Sequence, residues 1–234
     1  MQALDWRLRI HLLIILYKRP LFCKNSPCPK GRFKVKETPG AAFMLLAFNK
    51  PYGILSQFTK QEPGHRTLAE FGFPKGVYPL GRLDWDSEGL LLLSDEKAWN
   101  DLLLHPRHAH ERTYHAQVEG VAEALALTRI EKGILIRGRK TKPCRARWIK
   151  DPDYPARNPP IRFRLSVPTS WIELKLIEGK NRQVRRMTAA VGFPTLRLIR
   201  TAIGAFEAVG LAQGQWRELG SKEINLLKIG KVRA

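Results

Sequence analysis

The stretch Gly81-Arg-Leu-Asp-Trp-Asp-Ser-Glu-Gly-Leu-Leu-Leu-Leu-Ser-Asp95 is the most informative part of the sequence. Its centre is a short polar loop between two apolar segments, Val77–Leu83 and Leu90–Leu93, which we predict to be strands. The acidic residues of the loop are Asp84, Asp86 and Glu88. A loop held between rigid elements can direct a carboxylate into a cleft, where catalytic groups tend to lie. The stretch therefore predicts a sheet with a candidate acidic site at the end of one strand.

This acidic loop also allows other interpretations. The pattern Asp84-x-Asp86-x-Glu88-Gly89 partly matches a calcium-binding loop, which requires a glycine at its sixth position. The twelfth position is Asp95 where glutamate is usual, and predicted strands flank the loop where a calcium loop has helices. A solvent-exposed acidic turn and the paired carboxylates of a glycosidase are the remaining alternatives.

The composition limits the class of protein. The 234 residues are 44% apolar and 26% charged, which is typical of a soluble folded chain and excludes disorder throughout. No apolar run reaches the roughly 20 residues that cross a bilayer. There are 41 lysine and arginine residues against 21 aspartate and glutamate residues, a net charge of +20. Solubility needs a net magnitude of only about 2–8, so this excess predicts a polyanionic partner, most simply nucleic acid.

The N-terminal part of the sequence differs from the rest. Residues 1–43 combine many lysines with proline and glycine and show no sustained helical or strand periodicity, so we predict a basic, flexible extension before a domain over residues 44–234. The three cysteines, Cys23, Cys28 and Cys144, are odd in number and do not form a disulfide framework. This cysteine usage predicts a reducing, cytoplasmic location.

From Met44 onward, short strands and helices are predicted from periodicity and turn residues. The predicted strands are Met44–Asn49, Val77–Leu83, Leu90–Leu93, Arg112–Glu119, Gly133–Arg137, Cys144–Lys150, Ile161–Val167, Trp171–Ile177 and Thr195–Ile199. The predicted helices are Thr67–Phe71, Glu96–His105 capped by Asp95, Val121–Ile130, Asn181–Val191 and Glu223–Ile229 capped by Ser221. Because this order is not a regular βαβ alternation, we predict an α+β protein with a largely antiparallel sheet.

Two basic segments are candidate RNA contacts. Glu178–Met187 lies at a predicted strand-to-helix junction, where basic side chains and a helix N-terminus favour phosphate. Arg137–Lys150 has no acidic residue, contains Trp148 and is followed closely by Tyr154, a combination that suits RNA. The candidate RNA-binding residues are Arg137, Arg139, Lys140, Lys142, Arg145, Arg147, Lys180, Arg182 and Arg186. The alternative for both segments is a solvated basic surface.

A cluster of four histidines raises the question of zinc. The residues are His105, His108, His110 and His115. A zinc site needs ligands fixed on rigid elements, whereas three of these histidines fall in one predicted loop without a nearby cysteine. We therefore predict no metal site here.

Four motifs stand out along the chain. They are Asn49-Lys-Pro-Tyr-Gly53, Arg82-Leu-Asp84 followed by Ser87-x-Gly89-Leu-Leu-Leu-Leu-Ser94, Arg112-Thr-Tyr114, and Gly179-Lys-Asn-Arg-Gln-Val-Arg-Arg-Met187 followed by Leu196-x-Leu-x-Arg-x-x-Ile-Gly204. In this order and spacing they resemble the motifs of RNA pseudouridine synthases, and the last has the form found in the RsuA-like ribosomal RNA branch. The resemblance extends from about Leu45 to Leu219, with Arg112 in place of the usual lysine.

The resemblance implies a fold and a partner. Members of this branch commonly begin with a small S4-type RNA-binding domain, and residues 1–43 do not have its pattern. In this the chain resembles the large-subunit enzymes that consist of the catalytic domain alone. The implied fold is a mixed, mostly antiparallel sheet in two lobes with Asp84 in a central cleft. The implied partner is ribosomal RNA, 23S of the large subunit, bound by a monomer without cofactor, metal or membrane.

The activity implied by the resemblance is the isomerisation of uridine to pseudouridine, in which the N1–C1′ bond breaks and C5 joins C1′. Asp84 matches the essential aspartate, and its first step is attack on C1′, attack on C6 or removal of the 2′ proton. Tyr114 matches the tyrosine that stacks on the extruded base, and Arg185 matches the arginine that pairs with the aspartate. The other substrate-site candidates are Arg82 and, packing over the uracil, either Leu198 or Ile203. Asp86 and Glu88 are expected to be structural.

Rival functions remain at this point. A non-catalytic RNA-binding or ribosome-assembly protein would account equally well for the charge, but it gives no reason for an acid at position 84 with a matched arginine at position 185. The catalytic interpretation predicts that Asp84 and Arg185 lie within ion-pair reach in one cleft. A third class, a calcium- or zinc-dependent nuclease, predicts inactivation by a chelator.

Overall fold

The computed structural model describes residues 43–161, 164 and 166–228. The extension predicted over residues 1–43 lies outside this range except for Phe43, as does the end of the last predicted helix at residue 229. Within the described range, no helix is both long enough and apolar enough to cross a membrane.

Thirteen strands and four α-helices occur in the described part of the chain. The strands are β1 (Leu45–Lys50), β2 (Ile54–Leu55), β3 (Arg66–Thr67), β4 (Tyr78–Pro79), β5 (Glu88–Ser94), β6 (Arg112–Glu119), β7 (Leu135–Ile136), β8 (Arg139–Lys140), β9 (Arg145–Ile149), β10 (Thr169–Leu176), β11 (Thr195–Ile203), β12 (Phe206–Glu207) and β13 (Trp216–Glu218). The helices are α1 (Ala98–Leu104), α2 (Ala124–Glu131), α3 (Gln183–Ala190) and α4 (Ser221–Lys228), with 3-10 turns at Leu68–Phe71 and Pro106–His108.

One large sheet organises these elements. Its strand order is β13-β1-β5-β11-β6-β10-β9, with β4 beside β5 and β12 beside β11. Only the β5–β11 pair of this sheet, Ile199 opposite Glu88, is parallel, and the other pairs are antiparallel. The predicted α+β class with a mixed, mostly antiparallel sheet is therefore confirmed.

The apolar core divides into two parts that meet at the β5–β11 pair. In one lobe, β1 and β5 alternate their side chains between two clusters: Leu90 and Leu92 face α1 and α4, whereas Leu91 and Leu93 face an aromatic cluster around Phe48. In the other lobe, β6 and β10 pack against α2 and α3 through a separate cluster centred on Met187. This division produces the two lobes, and the loop before β5 lies between them.

Several elements differ from the prediction, and the reasons are local. The strand predicted over Val77–Leu83 is only β4, because Gly81 has φ +75°, which ends the extended backbone. Asp95 does not cap α1, since its carboxylate accepts the N–H of Met44, and the helix begins later at Ala98.

Other segments follow the prediction closely or extend it. Strand β6 has the predicted bounds, and β11 continues past the predicted end at Ile199 to Ile203. The strand predicted over Ile161–Val167 contains residues 162, 163 and 165, which lie outside the described range, and its described positions are not in a strand.

Candidate active site

Asp84 lies in the loop between β4 and β5, where the sequence places it. Its backbone carbonyl accepts the N–H of Ser87 at 3.0 Å, which closes a turn. The preceding residue, Leu83, is buried and exchanges two hydrogen bonds with the Ser56 hydroxyl, at 2.8 and 3.1 Å. The half-buried Asp84 carboxylate makes no hydrogen bond or ion pair to any described residue. The backbone is therefore anchored, while the acid remains available to a ligand.

The cleft beside Asp84 has a volume of about 860 Å³. Tyr114 enters it from β6 and Leu198 from β11, both partly or largely buried, and Arg82 lies at its exposed edge with a guanidinium hydrogen bond of 3.3 Å to Gln57. The structure thus brings together the predicted acid, the predicted stacking ring and one of the two predicted apolar contacts.

Ile203, the other predicted apolar contact, does not line this cleft. It is 4% exposed and belongs to the core cluster that contains Phe206, Leu103 and Leu45. Near this end of β11 the register against β6 shifts between Arg200 and Ala202. Of the two alternatives, Leu198 lines the cleft, whereas Ile203 lies in the core.

The expected direct ion pair between Arg185 and Asp84 is not formed. Arg185 Nη2 donates instead to the backbone carbonyl of Asp86 at 2.6 Å, and its Nε lies 3.3 Å from the Asp86 carboxylate. Arg182 holds both oxygens of the same carboxylate at 2.9 Å. The start of α3 thus meets the loop two residues after Asp84. The prediction needs correction because both arginines engage Asp86.

The two arginines also determine the charge state of Asp86. Burial alone would raise its pKa, but the hydrogen bonds from Arg182 and the charges of Arg185 and Arg182 outweigh burial and hold the pKa below its ordinary value. Asp86 is thus an ionised structural anchor between the lobes. The loop that carries Asp84 is fixed to α3 through this neighbour.

Glu88 is held on the other face of the sheet. On β6, Arg112 and Tyr114 line the cleft, whereas Thr113 and His115 line a second cavity of about 520 Å³, so alternation places the two cavities on opposite faces. Glu88 lines this second cavity, and Arg197 pairs with both of its oxygens at 2.9 Å. Asp86 and Glu88 are thus both held by arginines.

Lys50 is a residue of the site region that sequence reasoning missed. It is fully buried, and its ammonium group donates to the carbonyls of Pro51 at 2.9 Å and Ile54 at 2.7 Å. Burial lowers the pKa of Lys50 to about 7, although the charges of Glu88, Asp86 and Asp84 oppose that shift. The signal available in the sequence was the Asn49–Gly53 motif, but nothing in the motif indicates that its lysine is buried.

Two buried arginines also lie at the cleft. Arg112 donates to the carbonyl of Leu103 at 2.9 Å, and Arg200 donates through Nε to the carbonyl of Leu90 at 2.8 Å. The Nη2 atom of Arg200 has no hydrogen-bond partner among the described residues. These fixed cations make the cleft floor favourable for an anionic ligand. Arg200 is the arginine of the motif that ends at Gly204, but that motif did not indicate that its side chain would be buried at the cleft.

The predicted RNA-binding residues fall into two groups. Arg145 pairs with Glu111 at 2.7 Å and Arg147 with Glu173 at 2.7 Å, on strand β9. Both of these arginines are exposed although they are paired. The other exposed residues lie on the β7–β8 hairpin and at the cleft edge. Those without an acidic partner in the described range are Arg137, Arg139, Lys140 and Lys142, whereas Lys180 pairs with Glu178 at 3.5 Å and Arg182 with Asp86. Arg186 is half-buried and donates to Asn181 at 2.7 Å.

The predicted metal alternatives find no matching cluster. Among the residues that the structure describes, no three His, Cys, Asp or Glu side chains converge as metal ligands. The acids of the supposed calcium loop are directed apart, with Asp86 on arginines of α3 and Glu88 on an arginine of β11.

Comparison with known proteins adds independent findings. A family described as RNA pseudouridylate synthase matches residues 44–190. A ribosomal large subunit pseudouridine synthase E of Xanthomonas campestris is 51% identical over 176 residues, covering 74% of this chain and 94% of that protein. The protein of the same name from Vibrio vulnificus is 45% identical, covering 75% of this chain and 74% of its own length. A crystal structure of a pseudouridylate synthase, 28% identical, superposes with a TM-score of 0.66 over 80% of this chain and 74% of that one.

Proposed function

The chain belongs to the RNA pseudouridylate synthase family, and we propose that this isomerase converts a uridine of large-subunit ribosomal RNA to pseudouridine with Asp84 as its catalytic residue. The observation that supports the assignment of Asp84 is that its carboxylate lines the cleft without a hydrogen bond or ion pair to a described residue. Of the three acids in the loop, Asp86 and Glu88 are held by arginines, and Asp84 alone presents a carboxylate without a protein partner in the described range.

The reaction requires the target base to leave its stack. Extruding a nucleotide costs a few kcal/mol, and a pocket that stacks on and encloses the base offsets that cost. Tyr114 and Leu198 are the ring and the apolar side chain that line the cleft with Asp84. We assign Tyr114 to stacking on the uracil and Leu198 to packing over it.

The isomerisation itself is balanced within the substrate. The N1–C1′ bond breaks, the uracil turns, the C5–C1′ bond forms, C5 loses its proton and N1 gains one. Attack on C1′, attack on C6 and removal of the 2′ proton all require a carboxylate that can approach the sugar and base. The Asp84 carboxylate lines the cleft and is not engaged by Arg182 or Arg185, because both arginines contact Asp86.

The RNA backbone is assigned to the exposed cations around the cleft. Lys142 and Lys180 line the cleft edge, and the β7–β8 hairpin adds Arg137, Arg139 and Lys140. Phosphate contacts of this kind supply affinity and orientation without reading sequence. The net charge of +20 supports a polyanionic substrate of this class.

The finer part of the proposal concerns substrate and assembly. The relatives from Xanthomonas campestris and Vibrio vulnificus are named large-subunit enzymes, which supports 23S ribosomal RNA as the substrate. The proposed enzyme acts as a monomer. The absence of a disulfide framework in the sequence supports a cytoplasmic location.

The decisive experiment compares wild-type protein with Asp84→Asn on transcribed 23S ribosomal RNA. Pseudouridine is mapped as reverse-transcription stops after carbodiimide treatment. We expect no product from the variant, a loss of at least about 10³-fold, with RNA affinity within a few fold of wild type. Asp95→Asn is the matched control, since Asp95 is exposed and lies outside the cleft.

Two outcomes would contradict the proposal. Normal conversion by Asp84→Asn would remove Asp84 from the catalytic role. Tight RNA binding without conversion by the wild-type protein would favour the alternative of a non-catalytic RNA-binding protein on the same scaffold.

A further inference from the structure

Trp85, directly after Asp84, is exposed in a way that packing does not explain. Its side chain is 46% exposed, although a tryptophan that is buried removes some 150–250 Å² from water. Its backbone is nevertheless anchored, because its carbonyl accepts the N–H of Gly53 at 3.0 Å. The residue thus combines a fixed position with a large apolar surface in solvent.

The indole is the outer member of a series of planar side chains that contact one another. Its ring centroid lies 5.0 Å from that of Tyr52, and the two rings are tilted by 56°. The Arg157 guanidinium lies over the Tyr52 ring, 4.1 Å from its centroid, and is itself oriented by donating to the carbonyls of Pro159 and Pro160. Arg157, Tyr52 and Trp85 therefore form a preorganised series of planar groups that ends at the cleft.

The location of this stack determines what it can meet. Trp85 lines the same cleft as Asp84, and the Cα atoms of consecutive residues are only about 3.8 Å apart. The cleft volume of about 860 Å³ lies near the upper end of the range for single small ligands, so it has room beyond one extruded uridine. A ligand group on Trp85 would thus be an immediate neighbour of the reacting nucleotide.

We propose that Trp85, backed by Tyr52 and Arg157, is a stacking platform for an unpaired nucleobase that flanks the target uridine. Aromatic side chains and arginine planes are the groups on which proteins stack single-stranded bases. Trp99 and Trp171, by contrast, lie in the core at 6% exposure and are not available to a ligand. The platform favours single-stranded or distorted RNA over a regular duplex, because bases within a duplex are already stacked.

The inference rests on the proposed function in taking RNA as the ligand, but its test does not depend on conversion. The probe is a labelled, non-self-complementary single-stranded RNA of about twelve nucleotides, and the reference is its blunt duplex. Trp85→Ala should weaken single-strand binding by about 5- to 100-fold. Trp85→Phe should retain most of the affinity, and both variants should keep the duplex affinity and salt slope of the wild type.

Tyr78→Ala is the matched control, since Tyr78 is 64% exposed and does not line the cleft. It should leave single-strand binding unchanged. Unchanged binding by Trp85→Ala would overturn the platform, and so would an equal loss on single strand and duplex or an equal loss in Trp85→Phe. If Asp84→Asn converts uridine while Trp85→Ala weakens single-strand binding, the catalytic assignment fails and the platform stands.

Discussion

On the cleft face of the sheet, Asp84 is left without a protein partner, whereas on the opposite face the two buried acids that line the second cavity, Glu88 and Glu173, are both paired. There Glu88 accepts from Arg197 and from Gln213, and Glu173 accepts from Arg147. The network continues at His115, whose Nδ1 lies 2.6 Å from the Tyr154 hydroxyl. Both cavities are lined by charged residues, but the two buried acids of the second cavity are paired, whereas the half-buried Asp84 of the cleft is not.

This difference teaches how the same residue type serves two purposes. A buried carboxylate that is paired on both oxygens joins distant segments, and its charge is satisfied within the protein. A carboxylate without a partner can react with a ligand. Asp84, Asp86 and Glu88 are spaced two residues apart, so their different roles come from the elements that approach each position.

The sharpest test of this difference compares how much the free energy of unfolding falls when each of the two paired acids, Glu88 and Asp86, is replaced by its amide. Glu88→Gln leaves the buried Arg197 guanidinium without a counter-charge, so the free energy of unfolding should fall by about 3 kcal/mol. Asp86→Asn should cost less, about 1–2 kcal/mol, because its partner Arg182 is 43% exposed and can be solvated. Its second partner, Arg185, is only 11% exposed but keeps its hydrogen bond to the backbone carbonyl of residue 86. Urea denaturation measures both values.

Catalysis should respond in the opposite order. Asp86→Asn loosens the contact between α3 and the loop that carries Asp84, so turnover per folded molecule should fall, whereas Glu88→Gln should leave it unchanged. A larger stability loss in Asp86→Asn than in Glu88→Gln would show that the two faces do not differ in the way described.

A second prediction concerns the buried lysine beneath the acidic loop. The pKa of Lys50 is about 7 in the folded protein, below its unfolded value, so the unfolded chain binds the extra proton between these two values. Stability therefore rises with pH above 7, by about 1.4 kcal/mol per unit at most. Between pH 7 and 9, wild-type protein should gain roughly 2 kcal/mol relative to Lys50→Met.

The measurement is urea denaturation of both proteins across that pH range. Lys50→Met leaves the carbonyls of Pro51 and Ile54 without their hydrogen-bond donor. This loss changes the free energy of unfolding of the variant by an amount that does not depend on pH. The informative quantity is the change of the difference with pH. A difference that stays constant would show that Lys50 does not titrate between pH 7 and 9.

The smallest expected effect is a change in the salt dependence of RNA binding, which should differ between unpaired cations and cations that pair with an acid. Changing both Arg139 and Lys140 to glutamine should reduce the salt slope of single-stranded RNA binding by about 0.7 for each lost phosphate contact. Arg147→Gln should change the slope less, because Glu173 already neutralises that arginine. Equal slopes for wild type and all variants would show that the β7–β8 hairpin is a solvated basic surface that does not contact RNA.

The local features of this protein were predictable from its sequence. The bounds of β6, the α+β class and the loop position of Asp84 follow from hydrophobic periodicity and turn residues, which act over a few neighbouring positions. The motif around Asp84 and Tyr114 also identified the residues that line the cleft. The burial of Lys50 and the exposure of Trp85 ran against the usual tendencies of these residue types and could not be predicted.

The sequence by itself determined the residue chemistry, the order of elements and the candidate acids. Only the tertiary structure decided which acid is paired, because the partners come from positions far along the chain: Arg182 lies 96 residues from Asp86 and Arg197 lies 109 residues from Glu88. Local patterns do not specify the approach of such segments to within a residue or two. The resemblance implied that Arg185 pairs with Asp84, but in the structure it contacts Asp86, two positions further along the loop.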